Sequence, residues 1–257
     1  MDKFYTCNKV AEDILRKIKE NVPISDHDLV LEPSAGDGAF LKKMNYRNII
    51  ALDIQPEAEN IQTANFFDYE IPLGYDKIHV IGNPPFGKNG SLALRFLKRS
   101  MEFAESVSFV LPRSFMKDSF LMRIPTGYEL IHNQVLPNNS FLKSGEAYDV
   151  PCVFQIWIRN PAHFMVFKDA EPRGYKFVKK NDDHDIAFRR VGGRSGLITE
   201  FTENCNVNCF YFIKFERDFD IAALQSISWD DCRDNTAGPR SISKRELILK
   251  FNEVDYM

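Results

Sequence analysis

Long apolar runs are missing from this 257-residue chain. No stretch approaches the roughly 20 apolar residues that a membrane helix needs, so no such helix is expected. The start, Met1-Asp2-Lys3-Phe4-Tyr5, has no apolar run behind a basic flank, and no signal peptide is expected. An excess of positive charge is missing too: 33 Lys and Arg stand against 36 Asp and Glu, a net charge of -3. That balance argues against a histone-like, purely electrostatic nucleic-acid binder, while leaving room for a local basic cleft. Cysteine is scarce and odd in number (Cys7, Cys152, Cys205, Cys209 and Cys232), which suits a reducing compartment. Cys205 and Cys209 have the spacing of half a metal site, but no second pair accompanies them. They read as small strand or loop residues, and no metal is expected. There is no internal repeat and no low-complexity tract. A soluble, intracellular (cytoplasmic) protein is the expectation.

What is present is apolar residue at 44%, enough to bury a real core and to build one α/β domain plus an addition. Val10, Ala11, Ile14, Leu15 and Ile18 recur at helical spacing between Asn8 and Asn21. Asp28–Glu32, Asn48–Leu52, Lys77–Gly82 and Val107–Leu111 read as short buried strands, with helices expected over Ala39–Met44 and Leu92–Ala104. Strands separated by helices predict a Rossmann-like, doubly wound, mostly parallel sheet. Tyr128–Leu136 and Val150–Ile158, joined by a polar loop, predict an antiparallel hairpin closing it. Beyond Asn160-Pro161 the apolar runs shorten: Phe164–Phe167, Ile186–Arg189 and Cys209–Phe215, interrupted by Gly192, Gly193 and Gly196. The expected division is residues 1–160 as the main domain and 161–257 as a small β-rich C-terminal region, with target recognition as one possible use.

Glu32-Pro33-Ser34-Ala35-Gly36-Asp37-Gly38 follows a strand and precedes a helix, where glycines permit a tight turn and a close approach to a ligand. Asp53 ends the next strand, placed to accept hydrogen bonds from ribose hydroxyls. Asp68, after what would be the third strand, is placed for an adenine amino group, with Phe67 against the ring. A dinucleotide would want a third glycine beneath its pyrophosphate, and Leu41 stands there instead. The carboxylate of Glu32 suits an ammonium or sulfonium cation better than a diphosphate. S-adenosylmethionine fits this pattern; NAD does not.

Asn83-Pro84-Pro85-Phe86 lies at the C-terminal end of a predicted strand, where open α/β sheets put their chemistry. An amino group conjugated with an adenine ring is a poor nucleophile. Acceptors on the Asn83 side chain and the Pro84 carbonyl would hold its two hydrogens and free the lone pair for attack on a methyl group. Prolines give a stiff platform, and Phe86 offers a face for stacking a base.

These residues resemble the ordered motifs of class I amino-methyltransferases, especially adenine-N6 enzymes. Phe4-Tyr5-Thr6 followed by Val10-Ala11 resembles the extra N-terminal cofactor motif of the bacterial DNA enzymes in that group. The resemblance covers roughly residues 4 to 160. It implies S-adenosylmethionine as cofactor, with the glycine turn (Glu32, Pro33, Ser34, Gly36, Gly38) at its methionine part. It likewise implies Asp53 at the ribose and Asp68 with Phe67 at the adenine, with Ile54 also in the cofactor site. Tyr5, Thr6 and Asn83 complete the cofactor set, and Asn83, Pro84, Pro85 and Phe86 hold the target base. Phe86 departs from the commoner Tyr. Some RNA adenine methyltransferases also carry Phe followed by Gly, which keeps RNA beside a slightly favoured DNA.

A duplex base would have to be flipped out to reach Asn83, and its flanking phosphates held by cations. Lys88, Arg95, Lys98, Arg99, Arg113, Lys117, Arg189, Arg190 and Arg194 are candidates, though for each a solvated surface position is at least as good a reading. Two rival functions remain: a protein glutamine N5-methyltransferase using the same Asn-Pro-Pro-aromatic loop, and a catalytically silent nucleic-acid-binding protein. Motifs beginning within about 30 residues of the start argue against the first. Intact Glu32, Asp53, Asp68 and Asn83 argue against the second.

Overall fold

The structure, a computed structural model, describes residues 5–143, 145–236 and 238–254; Phe4 of the N-terminal motif lies outside them. The chain divides into two compact units, Met1–Phe115 with Ile124–Met165, and Met116–Arg123 with Val166–Met257. Among the described residues no helix is long and apolar enough to cross a membrane.

The first unit begins with a two-residue strand, β1 (Tyr5–Thr6), and α1 (Asn8–Asn21). It continues through β2 (Leu29–Glu32), β3 (Ile49–Asp53), β4 (Gln62–Thr63), β5 (Ile78–Gly82), α2 (Ser91–Met101) and β6 (Ser106–Pro112). After α3 (Asp118–Leu121), which belongs to the second unit, come β7 (Tyr128–Val135), β8 (Phe141–Lys143), β9 (Glu146–Tyr148) and β10 (Cys152–Arg159).

Seven strands form one sheet in the order β4-β3-β2-β5-β6-β10-β7. The first five run parallel, and β10 is antiparallel to both of its neighbours, so the sheet is Rossmann-like and closed by an antiparallel hairpin. β2 and β6 are buried along their whole length, which is why they read as mainly apolar segments whose few polar residues, Glu32, Ser106 and Ser108, are buried too. The helical stripe of α1 (Val10, Ala11, Ile14, Ile18) shares a core cluster with Val30, Ile81, Val110 and Phe154 from four strands of the sheet.

Two expectations need correcting in this unit. The segment Ala39–Met44 forms only a 3-10 turn at Leu41–Lys43, because the backbone turns extended at Met44 before a second turn can propagate. The polar loop before β10 contains the hairpin β8-β9, and β8 pairs with β1 as a separate three-stranded sheet.

The end of α2 is tied down from β7 and β10. Tyr128 donates its hydroxyl hydrogen to the carbonyls of Met101 and Ala104, and Arg159 reaches the same two oxygens at 3.1 and 3.0 Å. A cation and hydroxyl thus satisfy carbonyls that the helix terminus leaves open.

The second unit is an antiparallel sheet, β11 (Tyr175–Val178), β12 (Ile186–Arg189), β13 (Ile198–Thr199) and β14 (Phe210–Phe215), in the order β11-β14-β12-β13. The helices α4 (Ile221–Gln225) and α5 (Lys244–Val254) follow. Leu247 and Phe251 of α5 join Phe188, Ile213 and Trp229 in its core. Ser243 and Glu246 form a reciprocal capping box at the start of α5, and Glu246 also pairs with buried Lys117 at 2.9 Å. Phe164–Phe167 does not form the strand its composition suggests: Phe164 and Val166 stay 65% and 93% exposed, and among the described residues no strand pairs with them.

Burial gives this fold a pH dependence. His79, 1% exposed on β5, lies 2.8 Å from Ser106 Oγ and 3.4 Å from Asp28. Desolvation holds its pKa below the ordinary 6.5, against the pull of Asp28. The folded protein therefore refuses a proton that the unfolded chain accepts, and this contribution to stability is present above pH 6.5 and lost as pH falls below it. Urea unfolding should show stability falling on acidification between about pH 7 and pH 5, with His79 contributing up to about 1.4 kcal/mol per pH unit. His79→Gln should flatten that slope; equal slopes in the two proteins would exclude His79 as its source.

Candidate active site

The site is built at the C-terminal ends of β2, β3 and β5, and its first part is the turn after β2. Asp53, at the end of β3, accepts hydrogen bonds from Gly36 N–H at Oδ2 and Gln55 N–H at Oδ1, both 2.8 Å. Ala35 N–H donates to Leu52 C=O at 2.8 Å, so backbone and side-chain bonds together join the two strand tips. Gly36 has φ +55°, and a Cβ there would stand 3.2 Å from the Tyr5 ring. Glycine therefore serves twice, in conformation and in space. The Tyr5 hydroxyl donates to Glu57 at 2.6 Å, and Glu57 N–H returns to Gly36 C=O at 2.9 Å, drawing β1 across the turn.

Glu32 lies beneath this turn and is 1% exposed. Burial raises its pKa well above the ordinary carboxylate range, the charges of Asp37 and Asp53 raise it further, and the Leu41 N–H only partly opposes them. Among the described residues its Oε2 has no hydrogen-bond partner. A buried carboxyl group with an unanswered oxygen, beside two further carboxylates, is a place for a cationic ligand.

The second part is the turn after β5. Asn83 is half-buried, Pro84 buried, and Pro85 and Phe86 half-buried. Asn83 is held at both ends: its Nδ2 donates to Thr6 Oγ1 at 3.2 Å, and its backbone carbonyl accepts from Ser34 Oγ at 3.3 Å. Phe86 packs against the core cluster that contains Val10 and Phe141, so part of its ring is already covered. Its carbonyl accepts from Leu92 and Ala93 N–H at 3.0 and 3.2 Å, which fastens the turn to the start of α2.

The third part lies after β4. Asp68 is exposed and held by the Asn65 amide. The half-buried Phe67 ring packs edge-on to Phe96, with the Arg95 guanidinium 4.4 Å from its centroid. Ile54, beside Asp53, is 70% exposed. Gly38 is buried with φ +77°, and Pro33 is buried.

The structure therefore brings Thr6, Ser34 and Asn83 into direct contact, and likewise Tyr5, Gly36 and Asp53 with Gln55 and Glu57. Glu57 and Asn65 were not apparent from the sequence. The partner of Glu57 lies 52 residues away, whereas Asn65, three residues before Asp68, carries the local spacing of an Asx turn. Three of the candidate phosphate-contacting cations are engaged internally: Lys117 with Glu246 and Ser241 C=O, Arg99 with Glu102 and Tyr69 C=O, and Arg189 with Val191 C=O. Among the described residues no cluster of three or more His, Cys, Asp or Glu could hold a metal ion.

The sequence matches no protein-family model and no curated protein. Solved structures similar to it include a candidate RNA methyltransferase from Pyrococcus horikoshii, at 15% identity and a TM-score of 0.49, covering 62% of this chain and 87% of that one. A candidate class I S-adenosylmethionine-dependent methyltransferase from Listeria monocytogenes matches at 11% identity and a TM-score of 0.46, covering 64% of each protein. The 23S rRNA methyltransferase ErmE matches at 14% identity and a TM-score of 0.43, covering 63% of this chain and 73% of that one.

Gly87 closes the Asn83 turn at φ +67°, and a Cβ there would meet Leu92 Cβ at 2.7 Å. Gly87→Ala should destabilise the protein by about 1–3 kcal/mol in urea titration. An unchanged midpoint would mean that the turn and α2 relax freely.

Proposed function

We propose that this chain transfers a methyl group from S-adenosylmethionine to the N6 amino group of adenine in nucleic acid. The observation that carries the reading is the doubly held Asn83, set beside a glycine turn that is itself locked by Asp53. S-adenosylmethionine supplies an electrophilic methyl on a sulfonium. The residues fit such a molecule: Glu32 provides a buried carboxyl with an unanswered oxygen for its cationic part. Asp53, whose oxygens each accept one N–H, keeps lone pairs for ribose hydroxyls. Exposed Ile54 and half-buried Phe67, with Asp68, offer apolar contact and an acceptor for an adenine ring.

At the acceptor end, the Asn83 amide with its nitrogen turned to Thr6 has its carbonyl oxygen turned the other way, as an amino group requires. Two acceptors on the target nitrogen, Asn83 Oδ1 and the Pro84 carbonyl, pull it toward a tetrahedral shape and expose its lone pair. Exposed Lys88, Arg95 and Lys98 beside this turn and along α2 suit the phosphates flanking a target base.

Asn83→Ala should abolish methyl transfer and leave S-adenosylmethionine binding within about threefold by calorimetry; this variant keeps the site but loses an interaction made in the transition state. Incubating wild-type protein with labelled S-adenosylmethionine and DNA, RNA or protein pools, followed by hydrolysis, identifies the acceptor. N6-methyladenine in either nucleic acid supports the reading, its sugar separates DNA from RNA, and N5-methylglutamine would overturn it.

Glu32→Gln should act in opposite directions on stability and binding. A carboxyl whose folded pKa is raised destabilises the ligand-free fold at neutral pH, so the amide should raise Tm. It should also weaken S-adenosylmethionine binding and remove the rise in affinity with pH that follows from losing the Glu32 proton to a cation. Unchanged affinity in this variant would exclude Glu32 from the cofactor site.

A further inference from the structure

Thr6 sits on a two-residue strand outside the main sheet, yet it is 4% exposed, and its hydroxyl meets the one side chain on which the proposed chemistry turns. Resting on the reading above, we infer that Thr6 is a positioning residue: it fixes the orientation of the Asn83 amide and does not serve mainly as a contact to the cofactor.

A primary amide has two ends of nearly equal shape, and only one of them accepts a hydrogen bond. If the group rotates by half a turn about its last torsion, the acceptor presented to a substrate amino group becomes a donor, and the interaction reverses sign. Something must hold the nitrogen end. Thr6 Oγ1 lies 3.2 Å from Asn83 Nδ2, and the Ser34 hydroxyl 3.3 Å from the Asn83 carbonyl oxygen fixes the backbone beneath it. Ser34 sets where the residue is; Thr6 sets which way its amide faces.

Thr6 itself is placed by a series of contacts that leads away from the cofactor turn. It pairs with Phe141 across the β1-β8 ladder, and the next residue, Cys7, donates its N–H to Ser140 C=O at 3.0 Å. Phe141 is fully buried in the core cluster with α1 and anchors β8. The other residue of β1, Tyr5, faces the glycine turn and hydrogen-bonds Glu57. Alternation along the strand thus gives adjacent residues different tasks: Tyr5 lies over the cofactor turn and Thr6 points to Asn83. The hairpin β8-β9, inserted between β7 and β10, pairs with that strand through β8.

The test compares Thr6→Val, which keeps the shape and removes the hydroxyl, with Thr6→Ser, which keeps the hydroxyl. Methyl transfer to the nucleic acid identified above and S-adenosylmethionine binding by calorimetry are measured for both. Thr6→Val should lower kcat by about 10- to 100-fold, the scale of a misplaced reacting group, with S-adenosylmethionine affinity within about twofold of wild type. Thr6→Ser should restore most of kcat. If Thr6→Val does not fold, the ratio of kcat between Thr6→Ser and Thr6→Ala isolates the hydroxyl in the same way. Unchanged kcat on loss of the hydroxyl overturns the inference, as does weakened cofactor binding with kcat retained, which would make Thr6 a cofactor contact. Full activity in Asn83→Ala would instead sink the proposed chemistry itself. An inactive Asn83→Ala beside a fully active Thr6→Val sinks only the role of Thr6.

Discussion

The hydrogen bond from Gly36 N–H to the Asp53 carboxylate is the interaction on which the site depends. A backbone N–H in a left-handed turn has no strand or helix to satisfy it, and leaving it unpaired away from water costs about 1–3 kcal/mol. Asp53 removes that cost and, through Gln55, also fixes the path of the backbone leaving β3. With the turn locked, Ser34 stands within reach of the Asn83 carbonyl, and Gly36 offers a flat surface to Tyr5. Two turns that are far apart in the sequence thereby become one site with a shared geometry.

The parts legible in the sequence were those with a physical signature of their own. β2 and β6 are buried on both faces and read as mainly apolar segments, while α1 carries a helical stripe whose limits at Asn8 and Asn21 match the structure. Asn83 could be placed at a strand end because β5 runs straight into it. What escaped were elements whose stability comes from elsewhere. β1, β8 and β9 are two or three residues long, too short for periodicity, and depend on a ladder between distant segments. In the second unit, looking for short apolar runs finds β12 and β14 but passes over α5. The helical spacing of Leu247, Ile248 and Phe251 and the Ser243–Glu246 capping box were nevertheless there to be read.

Charge is distributed unevenly within a protein of net charge -3. Glu32, Asp37 and Asp53 gather about the glycine turn, whereas α2 carries Arg95, Lys98 and Arg99 and no acid. Arg99 is committed to Glu102 and to the Tyr69 carbonyl, which leaves Arg95 and Lys98 on the exposed face. In the proposed function the two ends match two different ligands, a cation at the turn and a polyanion along the helix. The acidic total follows from the rest of the surface and has no bearing on either end.

Asn83 explains why the proposed site needs so many supports for so few reacting atoms. A target amino group offers two hydrogens, and only acceptors placed at a fixed angle can pull its nitrogen out of conjugation; a donor in the same place repels it. The prolines that follow stiffen the backbone, but they do nothing for the torsions of the asparagine side chain. Control of those torsions has to come from outside the turn. The nearest rigid elements, β5 and the glycine turn, reach the Asn83 backbone through Ser34, so the amide is left to a segment that approaches from another direction. β1 does so with the Thr6 hydroxyl, and β8 pairs with the strand that carries it. In the proposed function the small, irregular sheet that the sequence did not announce is therefore the element that would orient the acceptor of the Asn-Pro-Pro-Phe turn.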